Sequence, residues 1–405
     1  MRLRPVVLLF VLAACSSAPK NASGPVLTGL DVLVESGFAE LRGKKVGLIT
    51  NHTGKDRRGR GIVELFGKAE GVELVALFSP EHGFTGVSEE FRISSMSVIV
   101  GGRTIPVHSL YGGGITTMRP KREDLLALDA LVFDIQDIGV RFYTYLATMA
   151  MALEESAKAG VPFYVLDRPN PINGVDVEGP VLAHLDLRLL TPTAYLKTAI
   201  RHGLTAGEAA LLHNDEVRHP SLRVIELRNW KRSMWYDQTG LPWTPPSPNM
   251  PDLEAAALYP GIGLFEAANV SVGRGTPIPF RWIGAPWMDG DKVAALMNSA
   301  LLDGVTFAAE SYAPSKSVYA GQACEGVRIT VTDRAVLKPT AVFLAFVDAL
   351  KRAHPDDFKF KWSEARKMTG TDEFQRLYER GGDLKALFET GAAGFEKSRR
   401  PFLLY

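Results

Sequence analysis

Five short apolar runs, separated by helical patterns, constrain the fold of this chain more than any other feature of its sequence. Their residues are apolar in succession rather than in alternation, which is typical of strands buried on both faces. Strands of this kind that alternate with helices predict an α/β fold with a parallel sheet between layers of helices. The runs are residues 45–51, 74–78, 106–111, 130–134 and 162–166.

Polar side chains follow each run where the predicted strand ends. After the second run, Glu81 and His82 stand side by side before Gly83 and Gly86, whose lack of a Cβ lets the backbone turn tightly. Because ligands of open α/β sheets bind at the edge where the carboxyl ends of the strands meet, we expect a small-molecule site there. The other runs end in Asn51 and His52, in Tyr111, in Asp134, Gln136 and Asp137, and in Asp167, Arg168 and Asn170.

Residues 191–281 are rich in loops. The prolines of residues 241–251 exclude regular secondary structure there. Trp243 lies among them and can form a rigid aromatic surface. A segment bounded by glycines follows, and it contains the polar residues Glu266, Asn269 and Arg274.

The predicted secondary-structure pattern changes at about residue 289. Helical patterns flank one alternating run at 327–332, which predicts a second, smaller α+β domain. We therefore predict a larger domain over 29–288, which carries the cleft, and a smaller domain over 289–405.

The N-terminal residues indicate a leader. A short basic start and an apolar run too short to span a bilayer are typical of a secretory signal. The run ends in Leu-Ala-Ala-Cys, which resembles a bacterial lipobox, so we predict a signal peptide over 1–14 and a lipidated tether over 15–28 that starts at an acylated Cys15. This predicts a membrane anchor and a cell-envelope location, either periplasm-facing or secreted. A plain secretory signal with a chance Cys15 is the alternative.

The sequence lacks the signals that are typical of several functional classes. A net charge of +1 gives no electrostatic reason to expect nucleic acid as a partner. The glycine patterns of dinucleotide sites, P-loops and nucleophile elbows are missing, so we predict no such cofactor. His82, Asp134 and Asp137 offer metal-ligand types, but no local spacing enforces a ligand geometry, and we predict no metal.

Carboxylates, aromatic rings and amide side chains are what remains. This combination is typical of a sugar-binding site, and cleavage of a glycosidic bond needs one carboxylic acid to protonate the leaving oxygen and usually a second carboxylate. The carboxylates are Glu81, Asp134, Asp137, Asp167, Glu178 and Glu266, and between them lie Tyr111, Tyr143, Trp243, Asn170, Asn249 and Asn269.

Six motifs in order resemble those of the NamZ-type exo-β-N-acetylmuramidases. They are LFSPEHGF at 77–84, VFDIQDIGVRFYTY at 132–145, LDRPNP at 166–171, VEGP at 177–180, PSPNMP at 246–251 and NVSVGRGT at 269–276. The resemblance implies hydrolysis of terminal, non-reducing N-acetylmuramic acid from peptidoglycan fragments. It also implies a Rossmann-like domain beside a smaller one, with the active site in the cleft between them. Val272 stands where an acidic residue is expected, and Thr85 replaces an expected Arg.

These observations assign roles to individual residues. Glu81 is predicted to be the general acid/base, with Glu178 or Asp134 as the second carboxylate. Arg141, Arg168 and Arg274 are the candidates for the lactyl carboxylate of the sugar, because a guanidinium fork suits a planar anion. The other predicted contacts to a muramyl oligosaccharide or muropeptide are Asn51, His52, His82, Tyr111, Gln136, Asp137, Tyr143, Asp167, Asn170, Asn249, Glu266 and Asn269.

Two other readings compete with this one. The first is a peptidoglycan-binding lipoprotein that kept the cleft and lost turnover, for which the changes at Val272 and Thr85 are the only support. The second is a metal-dependent hydrolase, which requires a ligand cluster that the sequence does not display.

Overall fold

A computed structural model describes residues 24–90 and 93–405. Cys15, the predicted signal peptide and most of the predicted tether lie outside the described residues. None of the helices within these ranges combines the length and the apolar character that a membrane span requires.

A seven-stranded sheet forms the centre of the larger part of the chain. Its strands are β1 (Lys45–Thr50), β2 (Glu73–Ser79), β3 (Met96–Val100), β4 (Arg103–Ser109), β5 (Ala130–Asp134), β6 (Phe163–Leu166) and β7 (Leu222–Ile225). Their order is β3-β4-β2-β1-β5-β6-β7, and all pairs are parallel except β3 with β4. The α/β prediction is confirmed. β3 was missed because it is a largely exposed edge strand whose apolar run, residues 98–100, is short.

Helices cover both faces of this sheet. Neighbouring residues of one strand point to opposite faces, so Leu48 and Val132 pack into one apolar cluster while Ile49 and Phe133 pack into the other. All four side chains are fully buried, as the unbroken apolar runs predicted. The helices of this part are α1 (Gly29–Glu35), α2 (Ile62–Gly67), α3 (Arg122–Leu125), α4 (Tyr145–Ala159), α5 (Ala206–Val217) and α6 (Leu253–Ile262).

A second, smaller region follows and has the predicted α+β character. Its antiparallel sheet has the order β8-β10-β9, with β8 at Trp282–Ala285, β9 at Val305–Ala309 and β10 at Glu325–Val331. The small sheet therefore begins before the predicted domain boundary at 289, because β8 pairs with β10. The helices are α7 (Gly290–Ser299), α8 (Pro339–Ala353), α9 (Trp362–Thr369), α10 (Glu373–Arg380) and α11 (Leu384–Arg399).

The first described residues show that the predicted tether extends too far along the chain. Val26 and Leu27 are buried, and Leu27 exchanges two backbone hydrogen bonds of 3.0 Å with Arg228. Thr28 caps α1 through its side chain. The tether predicted over 15–28 is thus too long, since the apolar side chain of Val26 packs with that of Trp230 in a small cluster of the domain.

Buried arginines attach the smaller region to the larger one. The Arg141 guanidinium donates to the carbonyl oxygens of Pro180 (2.8 Å), Thr198 (2.8 Å) and, in α9, Met368 (2.7 Å). Burial lowers the pKa of Arg141 to about 9. In the same way Arg399 of α11 donates to the carbonyl oxygens of Gly174, His202 and Gly203.

Replacing Arg141 by Met should destabilise the protein. The change leaves buried carbonyl oxygens without donors, and one such oxygen costs about 1–3 kcal/mol. We expect the urea midpoint to fall, whereas Arg376→Met on the exposed face of α10 should leave the midpoint nearly unchanged. Equal midpoints for the two variants would show that the Arg141 bridge contributes nothing to stability.

Candidate active site

A cavity of about 150 Å³ lies over the carboxyl edge of the large sheet, and the smaller region contributes Met368 of α9 to its lining. Five predicted site residues line it: Glu81, His82, Tyr143, Glu266 and Arg274. Nine further lining residues were not predicted, namely Phe142, Thr144, Tyr145, Thr193, Ser247, Met250, Tyr259, Phe280 and Met368.

Glu81 follows β2 and is held by hydroxyl groups on both of its carboxylate oxygens. Tyr111, which follows β4, donates to Oε1 at 2.7 Å, and Thr144, the residue before α4, donates to Oε2. Burial, reinforced by the charge and the hydrogen bond of Glu81, raises the pKa of Tyr111, so Tyr111 stays a protonated donor. The segments that follow β4 and β5 therefore orient the carboxylate that follows β2.

The turn that carries Glu81 has an unusual backbone. His82 has a φ of 67° and Gly83 a φ of 74°, a region that favours glycine. The Gly83 amide donates to the Pro80 carbonyl at 3.0 Å, and His82 Nδ1 lies 2.8 Å from the Ser88 carbonyl oxygen. These bonds hold the turn in a conformation that directs Glu81 into the cavity.

An ion pair between Glu266 and Arg274 forms another part of the lining. Arg274 Nε and Nη2 both lie 2.7 Å from Glu266 Oε1, and the guanidinium lies 5.2 Å from the centre of the Phe280 ring. Burial acts to lower the pKa of Arg274, but the electrostatic interactions with Glu266, Tyr259 and Glu81 and the hydrogen bond to Glu266 together outweigh burial, so the pKa is raised. Within the described part of the chain, no residue hydrogen-bonds to Glu266 Oε2 or to Arg274 Nη1.

Aromatic rings make the remaining wall rigid. Tyr143 packs edge-on against Tyr145 (centroids 5.0 Å apart) and Tyr259 (6.0 Å), and Tyr259 packs edge-on against Phe280 at 4.6 Å. Burial raises the pKa values of Tyr143 and Tyr259, which keeps both phenols protonated. The cavity thus combines two carboxylates and one guanidinium with apolar rings, as a sugar site requires.

Comparison with known proteins gives the same assignment as the motifs. The N-terminal family model described as "Exo-beta-N-acetylmuramidase NamZ" matches residues 46–254, and its C-terminal counterpart matches residues 257–405. The chain belongs to the NamZ family. The family resemblance inferred from the sequence is therefore confirmed.

Relatives of this NamZ-family chain match it over nearly its whole length. A curated "Peptidoglycan beta-N-acetylmuramidase NamZ" of Bacillus subtilis (strain 168) is 37% identical, over 97% of this chain and 96% of the relative. A crystal structure of a DUF1343 family protein from Bacteroides fragilis NCTC 9343 superimposes with a TM-score of 0.85 at 33% identity, covering 94% of this chain and 99% of that one. A second protein of the same description and organism gives a TM-score of 0.73 at 28% identity, with the same coverage.

Asp134 and Glu178, the predicted second carboxylates, do not line the cavity of this NamZ-family chain. Asp134 is fully buried in an ion pair with Arg168, whose Nη2 lies 2.9 Å from Asp134 Oδ2. Glu178 accepts from Arg201 at 2.7 Å and from the Thr340 hydroxyl at 2.8 Å. The structure therefore corrects both assignments, because each carboxylate is occupied by a buried internal partner.

Asp167 is likewise a structural residue. Its carboxylate accepts hydrogen bonds from the Thr205 hydroxyl, the Gly207 amide and the Tyr405 hydroxyl, each at 2.7 Å. Burial raises its pKa to about 7. These bonds join β6, the start of α5 and the last residue of the chain, and they leave Asp167 outside the cavity lining.

Four predicted residues at the strand ends retain one unused polar atom each. Asn51 Nδ2, His52 Nδ1, Gln136 Oε1 and Asp137 Oδ1 are buried and have no hydrogen-bond partner in the described ranges. Each residue also makes internal bonds, for example from Gln136 Nε2 to the Pro169 carbonyl oxygen at 2.9 Å. Because an unpaired buried polar atom is costly, these four atoms mark where water or a ligand group can bind.

His52 and the remaining residues predicted to contact the substrate do not line the cavity, and they bind groups of the protein instead. His52 Nε2 lies 2.7 Å from the Pro245 carbonyl oxygen, and burial lowers the pKa of this imidazole. Asn249 donates to Glu89 at 2.8 Å. Asn170 donates to the Leu204 carbonyl, Asn269 to the Asp357 carbonyl, and Arg141 and Arg168 make the bonds described above.

A metal centre finds no support in the geometry. Among residues 24–90 and 93–405, no group of three or more His, Cys, Asp or Glu side chains is arranged to hold an ion. His82, one of the three ligand types considered from the sequence, contacts a backbone carbonyl oxygen instead.

Proposed function

We propose that this chain is an exo-acting glycosidase that hydrolyses terminal, non-reducing N-acetylmuramic acid from peptidoglycan fragments. The observation that carries the proposal is Glu81, a carboxylate oriented by two hydroxyl donors in a small cavity that Glu266 and Arg274 also line. The activity named for the Bacillus subtilis relative agrees with this chemistry.

Glu81 is assigned as the general acid. As the bond between C1 and the glycosidic oxygen breaks, the Glu81 carboxylic acid gives its proton to that oxygen, and the leaving sugar departs as an alcohol. Water then supplies the new oxygen on C1, and its second proton returns to a carboxylate. Tyr111 and Thr144 orient Glu81 but do not themselves lose protons.

Glu266 replaces Glu178 and Asp134 as the second carboxylate of the proposal. Of the carboxylates predicted from the sequence, Glu81 and Glu266 alone line the cavity, and within the described residues Oε2 of Glu266 has no hydrogen-bond partner. A carboxylate in this position stabilises positive charge on the sugar ring or accepts a proton from water.

Arg274 is the arginine that supports recognition of the lactyl carboxylate. Arg141 and Arg168 are committed to buried protein groups, whereas Arg274 lines the cavity and keeps Nη1 unused within the described residues. Its pairing with Glu266 fixes the plane of the guanidinium, which favours a directed contact with a planar anion.

The non-catalytic alternative is not favoured. Val272, the position of an expected acid, is 5% exposed and packs in the main apolar core, outside the cavity lining. Thr85 is exposed on the loop after Glu81. Neither change removes a group that the proposed reaction uses.

The full activity is tested with a muramyl-capped disaccharide, from which the protein should release free N-acetylmuramic acid. Glu81→Gln keeps the shape of the side chain and loses the proton, so kcat should fall by roughly 10²–10⁴-fold with little change in KM. An aryl glycoside with a good leaving group needs less protonation and should recover much of the lost rate in Glu81→Gln, but not in Glu266→Gln.

Glu90→Gln on the same exposed loop is the matched control and should keep normal kcat. A Glu81→Gln enzyme that is equally impaired on both substrates would place the acid elsewhere. If the unaltered protein binds the disaccharide but releases no sugar from it, the non-catalytic alternative is correct.

Recognition of the substrate anion gives another prediction. Arg274→Gln should lower kcat/KM on muramyl substrates by about 10–100-fold, which corresponds to one hydrogen bond to a charged group. The matching N-acetylglucosaminides lack the lactyl carboxylate, so their kcat/KM should fall less. Steady-state kinetics on the two sugars measures the ratio, and an unchanged ratio would remove Arg274 from this role.

The N-terminal lipid anchor is part of the same proposal and rests on the sequence around Cys15. The apolar run, the small residues and the cysteine support acylation and a periplasm-facing or secreted location in the cell envelope. Cys15→Ser should abolish labelling by a radioactive fatty acid and move the protein from the membrane to the soluble fraction. Cys324→Ser, which replaces a buried free thiol, should change neither. Unchanged labelling of Cys15→Ser would refute the anchor.

A further inference from the structure

An open groove of about 690 Å³ shares a wall with the active-site cavity. The shared wall is the proline-rich loop 241–251: Leu241, Pro242 and Trp243 line the groove, whereas Ser247 and Met250 line the cavity. The Tyr145 hydroxyl donates to the Pro246 carbonyl at 2.6 Å and holds the middle of this loop. We call this feature the arginine groove, after Arg57 and Arg58 on its opposite side.

The arginine groove carries two cations without internal partners. Arg57 and Arg58 are exposed, and their side chains make no ion pair within the described residues, whereas the neighbouring Arg60 pairs with Asp56 at 2.6 Å. Their backbone is nevertheless held, since the Arg57 amide donates to Asp31 at 2.9 Å and the Arg58 amide donates to Asp56 at 3.0 Å.

The single acidic residue in the lining does not neutralise these cations. Asp237 is paired with Arg334, which lies outside the lining, at 2.7 Å. The groove therefore presents an excess of positive charge, and this charge favours an anionic ligand.

A rigid aromatic side chain lies beside the cations. The Trp243 indole donates to the Pro251 carbonyl at 2.9 Å, and its ring packs edge-on against Tyr236 with centroids 5.1 Å apart. Trp243 is only partly buried, so part of its apolar surface faces the groove. A fixed aromatic surface loses little entropy on binding and suits the apolar C–H face of a sugar ring.

We propose that the arginine groove binds saccharide units of a peptidoglycan strand outside the catalytic cavity. Sugar rings pack on Trp243, and the carboxylates that such a strand carries pair with Arg57 and Arg58. Because the groove and the cavity share one loop, a bound strand is retained close to the place where chain ends are cleaved. This inference rests on the proposed function for the identity of the strand.

Binding is measured with the full chain carrying Glu81→Gln, so that cleavage does not consume the ligand. Titration calorimetry with peptide-free glycan strands of several disaccharides gives the Kd. Adding Arg57→Gln and Arg58→Gln should weaken binding by about 10-fold or more, as expected when charged hydrogen bonds are lost. Arg376→Gln with Arg380→Gln, two exposed arginines of α10, is the matched control and should leave the Kd unchanged.

Two competitors distinguish sugar recognition from simple charge attraction. Neutral chitooligosaccharides should compete weakly, because they offer rings without carboxylates. Polyphosphate, which offers charge without rings, should also compete less well than glycan strands. Equal competition by polyphosphate, or an unchanged Kd in the Arg57→Gln/Arg58→Gln variant, overturns the proposal.

Kinetics with Glu81 intact separates the groove from the cavity. The Arg57→Gln/Arg58→Gln variant should keep kcat/KM on a muramyl disaccharide and lose rate on long strands. An equal loss on both substrates would mean that the arginines act through the catalytic loop, which also overturns the proposal. Failure of the proposed function would look different, because the unaltered protein would then release no sugar while binding to the groove stayed measurable.

Discussion

The attachment of the smaller region to the carboxyl edge of the sheet is the constraint on which the site depends. Arg141 draws the 178–200 segment and α9 together through three backbone carbonyl oxygens, and Met368, one of those acceptors, is also a wall of the cavity. A buried cation without a carboxylate partner is unusual. Here three carbonyl oxygens accept from Nη1 and Nη2, whereas Nε has no hydrogen-bond partner among the described residues, and these bonds hold the Met368 wall of the cavity in place.

The sheet and the position of Glu81 were accessible from the sequence for a simple reason. A strand buried on both faces must be apolar throughout, so β1, β2 and β5 stand out from their surroundings. The polar residues immediately after them then mark the edge. The β3 strand gave no such signal, since one side of an edge strand faces solvent. Thr193, Tyr259 and Met368 also line the cavity, but they come from distant segments of the chain. No local sequence pattern indicates that they lie together.

The roles of the strand-end carboxylates were not accessible in the same way. Asp134 and Glu81 look alike in sequence, because each ends an apolar run. The difference lies in the hydrogen-bond partners that the fold supplies: Asp134 binds the Arg168 guanidinium in a buried ion pair, whereas Glu81 accepts hydrogen bonds from neutral hydroxyl groups. Burial raises the pKa of Asp134 and the Arg168 charge opposes this shift, which suits a structural bridge between β5 and the residue after β6. Sequence spacing does not reveal whether an arginine will reach a given carboxylate.

The charges in the cavity explain why it matters that Asp134 is ion-paired and Glu81 is not. Glu81 and Glu266 both act on Tyr259 and on the same guanidinium, that of Arg274. One guanidinium among two carboxylates gives the lining an excess of negative charge. This excess favours a positively charged sugar ring, whereas a substrate carboxylate needs the remaining donor of Arg274. The cavity therefore holds one carboxylate bound by hydroxyl donors and one carboxylate paired with a guanidinium, and two carboxylates are what cleavage of a glycosidic bond usually requires.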